Sequence, residues 1–218
     1  APTVDNFTLS DTALKAGDNA TVTLVFSEAV TGFNNADITG SNGSLATMTL
    51  DTSDNVTWTG TFTPAANTEE ASNTLRLGGP YYDPAGNTGT DNTTSNYEID
   101  TLAPTAGSFS FDDYRLKPGE TATVTLVFSE VVKGFDSDED ITGTNGTLSA
   151  MTSDDNTTWT GTFTPAVDTE EASNTLRLGT NYTDLAGNAG TDNTTSNYEI
   201  DTLAPTGSFS LDGYLLKP

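Results

Sequence analysis

The sequence predicts an all-β protein made of two consecutive β-sandwich domains of about 100 residues each. Three observations support this prediction: the chain repeats itself, its apolar residues alternate with polar ones, and turn-forming residues separate the alternating runs. Alternation with a period of two is typical of strands that bury one face. No segment has the apolar spacing of an amphipathic helix, so we expect no helical layer.

Long identical segments define the repeats. Residues 89–105 return unchanged at 190–206. This self-similarity predicts one domain at 1–102, a second at 103–203, and the first strand of a third repeat at 204–218. Each full repeat is long enough to bury a core of its own, so we expect separate domains in a row and not a solenoid.

The alternating runs indicate about seven short strands in each repeat. Val22, Leu24 and Phe26 mark one buried face, and a run that contains Trp58 marks another. Segments rich in Gly, Asn, Asp and Pro separate these runs and favour tight turns. Short strands with such frequent turns predict an immunoglobulin-like sandwich, in which Trp58 and Trp159 occupy equivalent buried positions.

Composition excludes several function classes. The chain has 31 Asp+Glu against 7 Lys+Arg, a formal net charge of −24, whereas nucleic-acid binding needs a basic surface. Cysteine and histidine are absent, which excludes disulfides, thiolate metal sites and histidine-based catalysis. No apolar run approaches the roughly 20 residues of a membrane span. We therefore expect a monomer that is not an enzyme, does not insert into membranes and binds hard cations such as Ca²⁺.

Three phrases of the sequence resemble a known family. They are Val25-Phe26-Ser27-Glu28, Asp83-Pro84-Ala85-Gly86-Asn87, and the run from Tyr97 to Thr105. Together they resemble the bacterial Ig-like domains of giant adhesins, in particular the extender repeats of large RTX adhesins, which include an ice-binding adhesin and its biofilm relatives. The resemblance implies type I secretion, an extracellular place on the bacterial cell surface, calcium at domain junctions and a spacer role.

Carboxylates are predicted to meet where one repeat joins the next. In an immunoglobulin-like topology, the loop after the second strand and the loop before the last strand share one pole. Glu130 and Asp184 occupy these loops in the second repeat, and Asp100 ends the first repeat. With the Thr101 carbonyl and waters they could supply the 6–8 oxygens of a Ca²⁺ site, or they could be ordinary turn and strand-end charges. The equivalent residues for other joints are Glu28, Asp83 and Asp201.

Two further acidic groups are candidate ligands. One lies inside a single loop, where residues four apart could wrap around one ion or could cap turns for their own sake. Its members are Asp83, Asn87 and Asp91, repeated as Asp184, Asn188 and Asp192. The other consists of paired acids predicted at the opposite pole, close to where Asp100 and Asp201 emerge; they could be ligands or solvated surface charges. They are Glu69, Glu70, Glu170 and Glu171.

The second repeat alone carries an Asp-x-Asp pattern at Asp136 and Asp138. It imitates the start of an EF-hand loop, but Ile141 replaces the required Gly and Thr147 replaces the closing Glu. An EF-hand is therefore not expected, and the acids could at most hold an additional surface ion in the second repeat alone.

Two functions are consistent with these observations. The first is a spacer whose partners are the neighbouring repeats of the same chain, stiffened by calcium and by the Pro at each joint. The alternative is a binding module of an adhesin that recognises a glycan, a host protein or ice. A glycan site would use exposed aromatic rings, for which Tyr81, Tyr82 and Tyr182 are the candidates.

Overall fold

The computed structural model describes residues 1–210 of the 218-residue chain. This part of the chain divides into two compact units. The first unit contains Ala1–Pro104 together with the segment Thr183–Gly190, and the second contains Thr105–Tyr182 and the chain from Thr191 onward. The assignment of Thr183–Gly190 to the first unit was not predicted from the sequence.

The first unit is built from three sheets. One has the order β1-β3-β7-β5, with β6 also paired to β7; the others have the orders β2-β11-β8 and β10-β9-β4. The pairing of β11 with β2 is parallel, and its pairing with β8 is antiparallel. The strands are β1 (Val4–Leu9), β2 (Ala13–Lys15), β3 (Ala20–Phe26), β4 (Ile38–Gly40), β5 (Gly43–Leu45), β6 (Thr49–Leu50), β7 (Thr57–Pro64), β8 (Glu69–Asn73), β9 (Leu75–Leu77), β10 (Asn92–Thr93) and β11 (Tyr97–Asp100).

The second unit repeats this arrangement. Its sheets have the orders β12-β14-β17-β16, β13-β21-β18 and β15-β19-β20. The strands are β12 (Ala106–Phe111), β13 (Arg115–Leu116), β14 (Ala122–Phe128), β15 (Ile141–Thr142), β16 (Gly146–Leu148), β17 (Thr158–Pro165), β18 (Glu170–Asn174), β19 (Arg177–Leu178), β20 (Asn193–Thr194) and β21 (Tyr198–Asp201).

The fold is almost entirely β, which confirms the predicted tandem sandwiches. Short helical turns at Asn35–Asp37 and Ser137–Asp140 interrupt the strands of the two units. The strands are more numerous than predicted because single runs switch between sheets. The run that begins at Glu69 pairs with β11 up to Asn73, and from Leu75 it pairs with β4 and β10 instead. None of the helices among residues 1–210 is long and apolar enough to cross a membrane.

The alternating residues form the core of each unit. Val22, Leu24 and Phe26 are buried on one face of β3, as the period of two predicts. Trp58 lies opposite Leu24 on β7 and meets Phe33 edge to face, with ring centroids 4.9 Å apart. Trp58 and its counterpart Trp159 occupy equivalent positions, as predicted, and both are partly buried against the core cluster of their unit. The indole nitrogen of each is buried.

The beginning of the third repeat forms no strand in residues 204–210. Phe209 is 89% exposed there, whereas its counterpart Phe109 is 7% exposed. Phe109 is buried because β12 pairs with β14, and the sequence contains only two copies of the β14 segment. A strand without such a partner has no surface on which to bury its apolar face. The rest of the predicted first strand, 211–218, lies outside the described residues.

Four buried tyrosines make the fold sensitive to alkali. Burial raises the pKa of Tyr198 from its ordinary value of 10.0 to about 12, and it also raises the pKa of Tyr81, Tyr97 and Tyr182. The folded protein thus holds these protons more tightly than the unfolded chain does. Stability is expected to be intact below pH 10.0 and to fall as the pH rises towards about 12.

The measurement is a pH titration that follows phenolate absorbance and circular dichroism together. Phenolate signal from the four buried rings should emerge together with loss of the β-sheet spectrum. Complete ionisation of all the tyrosines while the β-sheet spectrum persists would contradict this prediction.

Candidate calcium site at the loops before the last strands

The Asp83 loop, residues 83–87, is a closed turn held by its first and last residues. The Asn87 amide N–H donates to Asp83 Oδ1 at 2.8 Å, and its Nδ2 donates to Asp83 Oδ2 at 2.7 Å. Gly86 has φ +88°, a conformation that favours glycine. The hydrogen bonds from the Asn87 side chain and backbone lower the pKa of Asp83, so its carboxylate stays charged.

Glu28 and Asp83 face the same space in the first unit. The amino group of Ala1 lies 3.9 Å from Glu28 Oε1 and 3.4 Å from Asp83 Oδ2. The carboxylates of Glu28, in the loop after β3, and of Asp83, in the loop before the last strand, therefore lie close to one another. This convergence is the one expected from an immunoglobulin-like topology, and it makes the position suitable for a cation.

The Asp184 loop, residues 184–188, has the same internal geometry. Asn188 N–H donates to Asp184 Oδ1 at 2.8 Å, and Nδ2 donates to Asp184 Oδ2 at 2.7 Å. Here, however, Asp184 and Asn188 are buried, with 0% and 3% of their surface exposed. The Asp184 loop belongs to the first unit.

Asn188 makes these contacts with both ends of its amide. Its Oδ1 accepts a hydrogen bond from Ala16 N–H at 2.8 Å, and its Nδ2 donates to the Asp100 carbonyl at 2.8 Å and to Asp100 Oδ1 at 3.3 Å. An amide side chain is suited to this position because it offers both an acceptor and two donors. Asn188 thus hydrogen-bonds the loop to Ala16 and to the end of β11, and its role as a metal ligand stays a prediction.

Asp100 and Asp184 are brought close together. A carboxylate oxygen of Asp100 lies within 4.8 Å of a carboxylate oxygen of Asp184. The pKa of Asp100 is raised by burial, and the charges of Asp184 and of Glu69 on β8 raise it further. A divalent cation would relieve this crowding of negative charge, and all the donors are hard oxygens of the kind that Ca²⁺ prefers.

We expect Asn188→Ala to loosen the first unit. The change removes the acceptor of Ala16 N–H and the donor to Asp100, with a cost of about 2–3 kcal/mol for the buried groups left without partners. Asn87→Ala is the matched control because Asn87 has the same loop bonds but is exposed. Hydrogen exchange at the Ala16 amide should accelerate in Asn188→Ala and stay unchanged in Asn87→Ala. Equal exchange in the two variants would show that Asn188 does not hold the loop.

The structure engages Asp91 and Asp192 elsewhere. Asp91 forms an ion pair with Arg76, and Asp192 pairs with Arg177 at 3.1 Å. Both acids are largely exposed. In the structure, Asp83 and Asn87 are bonded to each other and Asp91 is paired with Arg76, so the loop site of Asp83, Asn87 and Asp91 stays a prediction.

The Thr101 hydroxyl ties the end of the repeat to a turn. It donates to the Ala65 carbonyl at 2.7 Å and accepts from Thr68 N–H at 3.0 Å. These bonds fix the backbone just after Asp100. Both hydrogen bonds involve the side-chain hydroxyl of Thr101. The role of its backbone carbonyl as a calcium ligand stays a prediction.

The other predicted acids lie at strand ends and caps. Glu69 and Glu70 stand opposite Asp100 and Ile99 across β8 and β11, so Glu69 is adjacent to the candidate site. Glu170 and Glu171 hold the same positions opposite Asp201 and Ile200. Glu130 follows β14 in the second unit, where Glu28 follows β3 in the first.

Asp136 caps a helical turn. Its side chain accepts a hydrogen bond from Asp138 N–H at 2.9 Å, at the start of the helix Ser137–Asp140. Asp140 in turn accepts from Asp136 N–H at 2.9 Å. This turn gives the acidic run a local structural role that the Asp-x-Asp spacing did not reveal.

The aromatic candidates for a glycan platform are mostly core residues. Tyr81 and Tyr182 are fully buried, and their hydroxyls donate to the carbonyls of Thr90 and Thr191. The prediction that they could be exposed rings is therefore wrong. Of the three candidates, Tyr82 alone has an exposed ring, with 38% of its surface in solvent.

The turn at residues 15–18, whose Ala16 N–H donates to Asn188 Oδ1, was not predicted from the sequence. Asp18 N–H donates to the Lys15 carbonyl at 3.1 Å, and Gly17 has φ +87°, which is typical of the third position of a type II turn. In such a turn the N–H of the second residue, here Ala16, is not used within the turn. The Lys-Ala-Gly-Asp pattern could have signalled this free donor.

Comparison with known families gives one match. The bacterial Ig-like domain family matches residues 1–99 and again residues 100–200. A search of curated proteins finds no match to the chain. The two matches cover nearly the whole chain and coincide with its internal repeat. The protein therefore belongs to the bacterial Ig-like domain family and contains two consecutive domains of it.

Proposed function

We propose that the chain is a pair of spacer repeats from a large secreted adhesin of the RTX extender type, on the bacterial cell surface. Domains of this family are typically non-enzymatic and are often found at the cell surface. The observation that supports a spacer most directly is the direct succession of two nearly identical domains joined by a few residues. The longest strand of each domain has 8 residues, which at about 3.3 Å per residue spans roughly 25 Å.

The proposal includes a calcium ion at each joint. Asp100 and Asp184 are the two ligands whose closeness supports it. We propose Glu130 as the third, because its counterpart Glu28 converges with Asp83 around the amino group of Ala1. The Thr101 carbonyl and waters would complete the 6–8 oxygens that Ca²⁺ takes. Such an ion would offset the repulsion of the carboxylates and limit bending at the joint.

Calorimetric titration with calcium, after removal of bound metal by a chelator, tests this proposal. The unmodified chain should bind calcium, and Asp100→Ala should lose the binding that depends on the joint. Asp201→Ala is the matched control, because Asp201 has the equivalent place at the end of the second repeat and is not part of the joint between the two repeats. Identical titrations of the unmodified chain and Asp100→Ala would contradict a calcium site at Asp100.

A further inference from the structure

Two Asn-Gly dipeptides occupy equivalent turns of the two units. They are Asn42-Gly43, between β4 and β5, and Asn145-Gly146, between β15 and β16. Every other asparagine of the sequence precedes a residue that has a side chain. Asn42 and Asn145 have φ +59° and +62°, a left-handed conformation that asparagine tolerates in turns. The two turns therefore share a dipeptide and a backbone conformation.

The packing of a core aromatic ring requires glycine in these turns. A Cβ added to Gly43 would lie 2.3 Å from the ring of Phe62 and 2.7 Å from the Thr63 carbonyl oxygen. In the second unit, a Cβ on Gly146 would lie 2.2 Å from the ring of Phe163. Glycine is thus fixed by the core of each unit, and it leaves the backbone nitrogen after each asparagine without a neighbouring side chain.

The strand register leaves this nitrogen outside the sheet. Among residues 1–210, β5 ends the sheet in which it pairs with β7, and Gly43 stands opposite Pro64. Ala65 N–H donates to the Asn42 carbonyl at 2.8 Å. Because bonding positions alternate along an antiparallel pair, Asn42 bonds to β7 and Gly43 directs its N–H to the open edge. The second unit has the same register and a bond of the same length.

The Asn42 side chain completes a buried network. Its Nδ2 donates to Asn73 Oδ1 at 2.8 Å, and Asn73 is 4% exposed. Asn73 Nδ2 donates in turn to the carbonyls of Glu70 at 2.8 Å and Tyr97 at 3.1 Å. These two bonds fix the orientation of the Asn73 amide, so its Oδ1 needs a donor at position 42. The equivalent bond of the second unit is also 2.8 Å long.

We propose that Asn42 and Asn145 are sites of spontaneous deamidation in the folded protein. The backbone nitrogen of the following glycine attacks the asparagine Cγ and forms a C–N bond. The side-chain amide group leaves with the proton of that nitrogen as ammonia, and a cyclic succinimide remains. Water then adds to either carbonyl of the ring and opens it to an aspartate or an isoaspartate. The net reaction consumes one water and releases one ammonia for each amide that becomes a carboxylate.

Either product breaks the buried network. An ionised carboxylate at position 42 has no proton to donate, so it would face the acceptor Asn73 Oδ1 and leave that buried atom without a partner. An isoaspartate also adds a carbon to the main chain at the turn. Because Asn73 ties the turn to β8 and β11, deamidation loosens each repeat and limits its chemical lifetime. This modification goes beyond the spacer function and needs no metal ion.

Peptide mapping by mass spectrometry tests the proposal on the folded chain, kept at mildly alkaline pH and sampled over time. Conversion of amide to acid should appear first at Asn42 and Asn145, with both aspartate and isoaspartate present. Asn55 and Asn156 are internal controls, because they have φ +59° and +57° but precede Val and Thr. Their β-branched neighbours hinder the attacking nitrogen. Asn42→Ser should leave the early conversion at Asn145 alone.

The proposal is overturned if the folded chain keeps Asn42 and Asn145 intact while the same chain in denaturant converts them. It is equally overturned if Asn55 and Asn156 convert as fast in the folded chain.

Denaturant unfolding tests the structural consequence. Asn42→Asp reproduces one product and should shift the unfolding midpoint of the first unit to lower denaturant concentration, without a change in the second unit. Asn145→Asp should do the reverse. Asn55→Asp is the matched control because Asn55 is exposed, and both midpoints should stay unchanged. Equal midpoints for Asn42→Asp and Asn55→Asp would overturn the proposed loosening of the repeat.

Discussion

Phe163→Ala is expected to lower the free energy of unfolding of the second unit by about 3–5 kcal/mol. Phe163 is 1% exposed, and its ring meets Phe111 and Tyr198 edge to face at 5.5 and 5.3 Å. A Cβ added to Gly146 would lie 2.2 Å from the ring, so the backbone of β16 packs directly on it. Because sheet backbone and aromatic rings surround the side chain, the cavity left by its removal cannot easily collapse.

Denaturant unfolding of the two units checks this prediction. Phe163→Ala should shift the transition of the second unit and leave that of the first unit unchanged. Val167→Ala is the control in the same unit, because Val167 is 83% exposed and its loss should cost less than about 0.5 kcal/mol. If Phe163→Ala and Val167→Ala had equal effects, the core assigned to the second unit would be wrong.

The fold could be predicted largely because strand periodicity is a local property. Val22, Leu24 and Phe26 show by their spacing alone that they share a buried face, and the structure buries all three. Tyr81 was misjudged because it stands in a loop next to a turn, where spacing carries no information about burial. Its ring is buried by packing against Phe26, with centroids 4.9 Å apart, a contact that depends on the folded chain.

The site could be predicted only in part. Asp100 was predicted near Asp184 because it ends the first repeat, where that repeat joins the next, and the structure brings their carboxylate oxygens within 4.8 Å. The role of Asn188 was beyond the sequence, because it depends on Ala16 N–H, which is 172 residues away along the chain. The ion pair of Asp91 with Arg76 was not predicted, because spacing along the chain does not show that these two side chains meet.

Removal of calcium is expected to have the other large effect on the stability of the protein. The chain carries a net charge of −24, and two carboxylates within 4.8 Å repel each other by about 1–3 kcal/mol at surface-like dielectric constants. A bound calcium ion replaces this repulsion between carboxylates with attraction. It adds about 2.7 kcal/mol to the free energy of unfolding when free calcium is at a hundredfold excess over its Kd. For a unit of this size, chelation should lower Tm by about 10 °C or more.

The variant Asp100→Ala distinguishes calcium binding at the joint from calcium binding elsewhere in each domain. It removes the ligand contributed by the end of the first repeat and leaves Glu28 and Asp83 in place. The calcium-dependent part of the Tm should therefore shrink in Asp100→Ala and persist in Asp201→Ala. If calcium raised the Tm of Asp100→Ala as much as that of the unmodified chain, Asp100 would not be a ligand.

Small-angle X-ray scattering of the unmodified chain in calcium and in chelator tests the calcium-stiffened spacer most directly. If calcium stiffens the joint, the distribution of angles between the two domains should be narrow with calcium and broad in chelator. Asp100→Ala should give the broad distribution under both conditions. Identical scattering curves of the unmodified chain in calcium and in chelator would contradict the proposal that calcium fixes the joint.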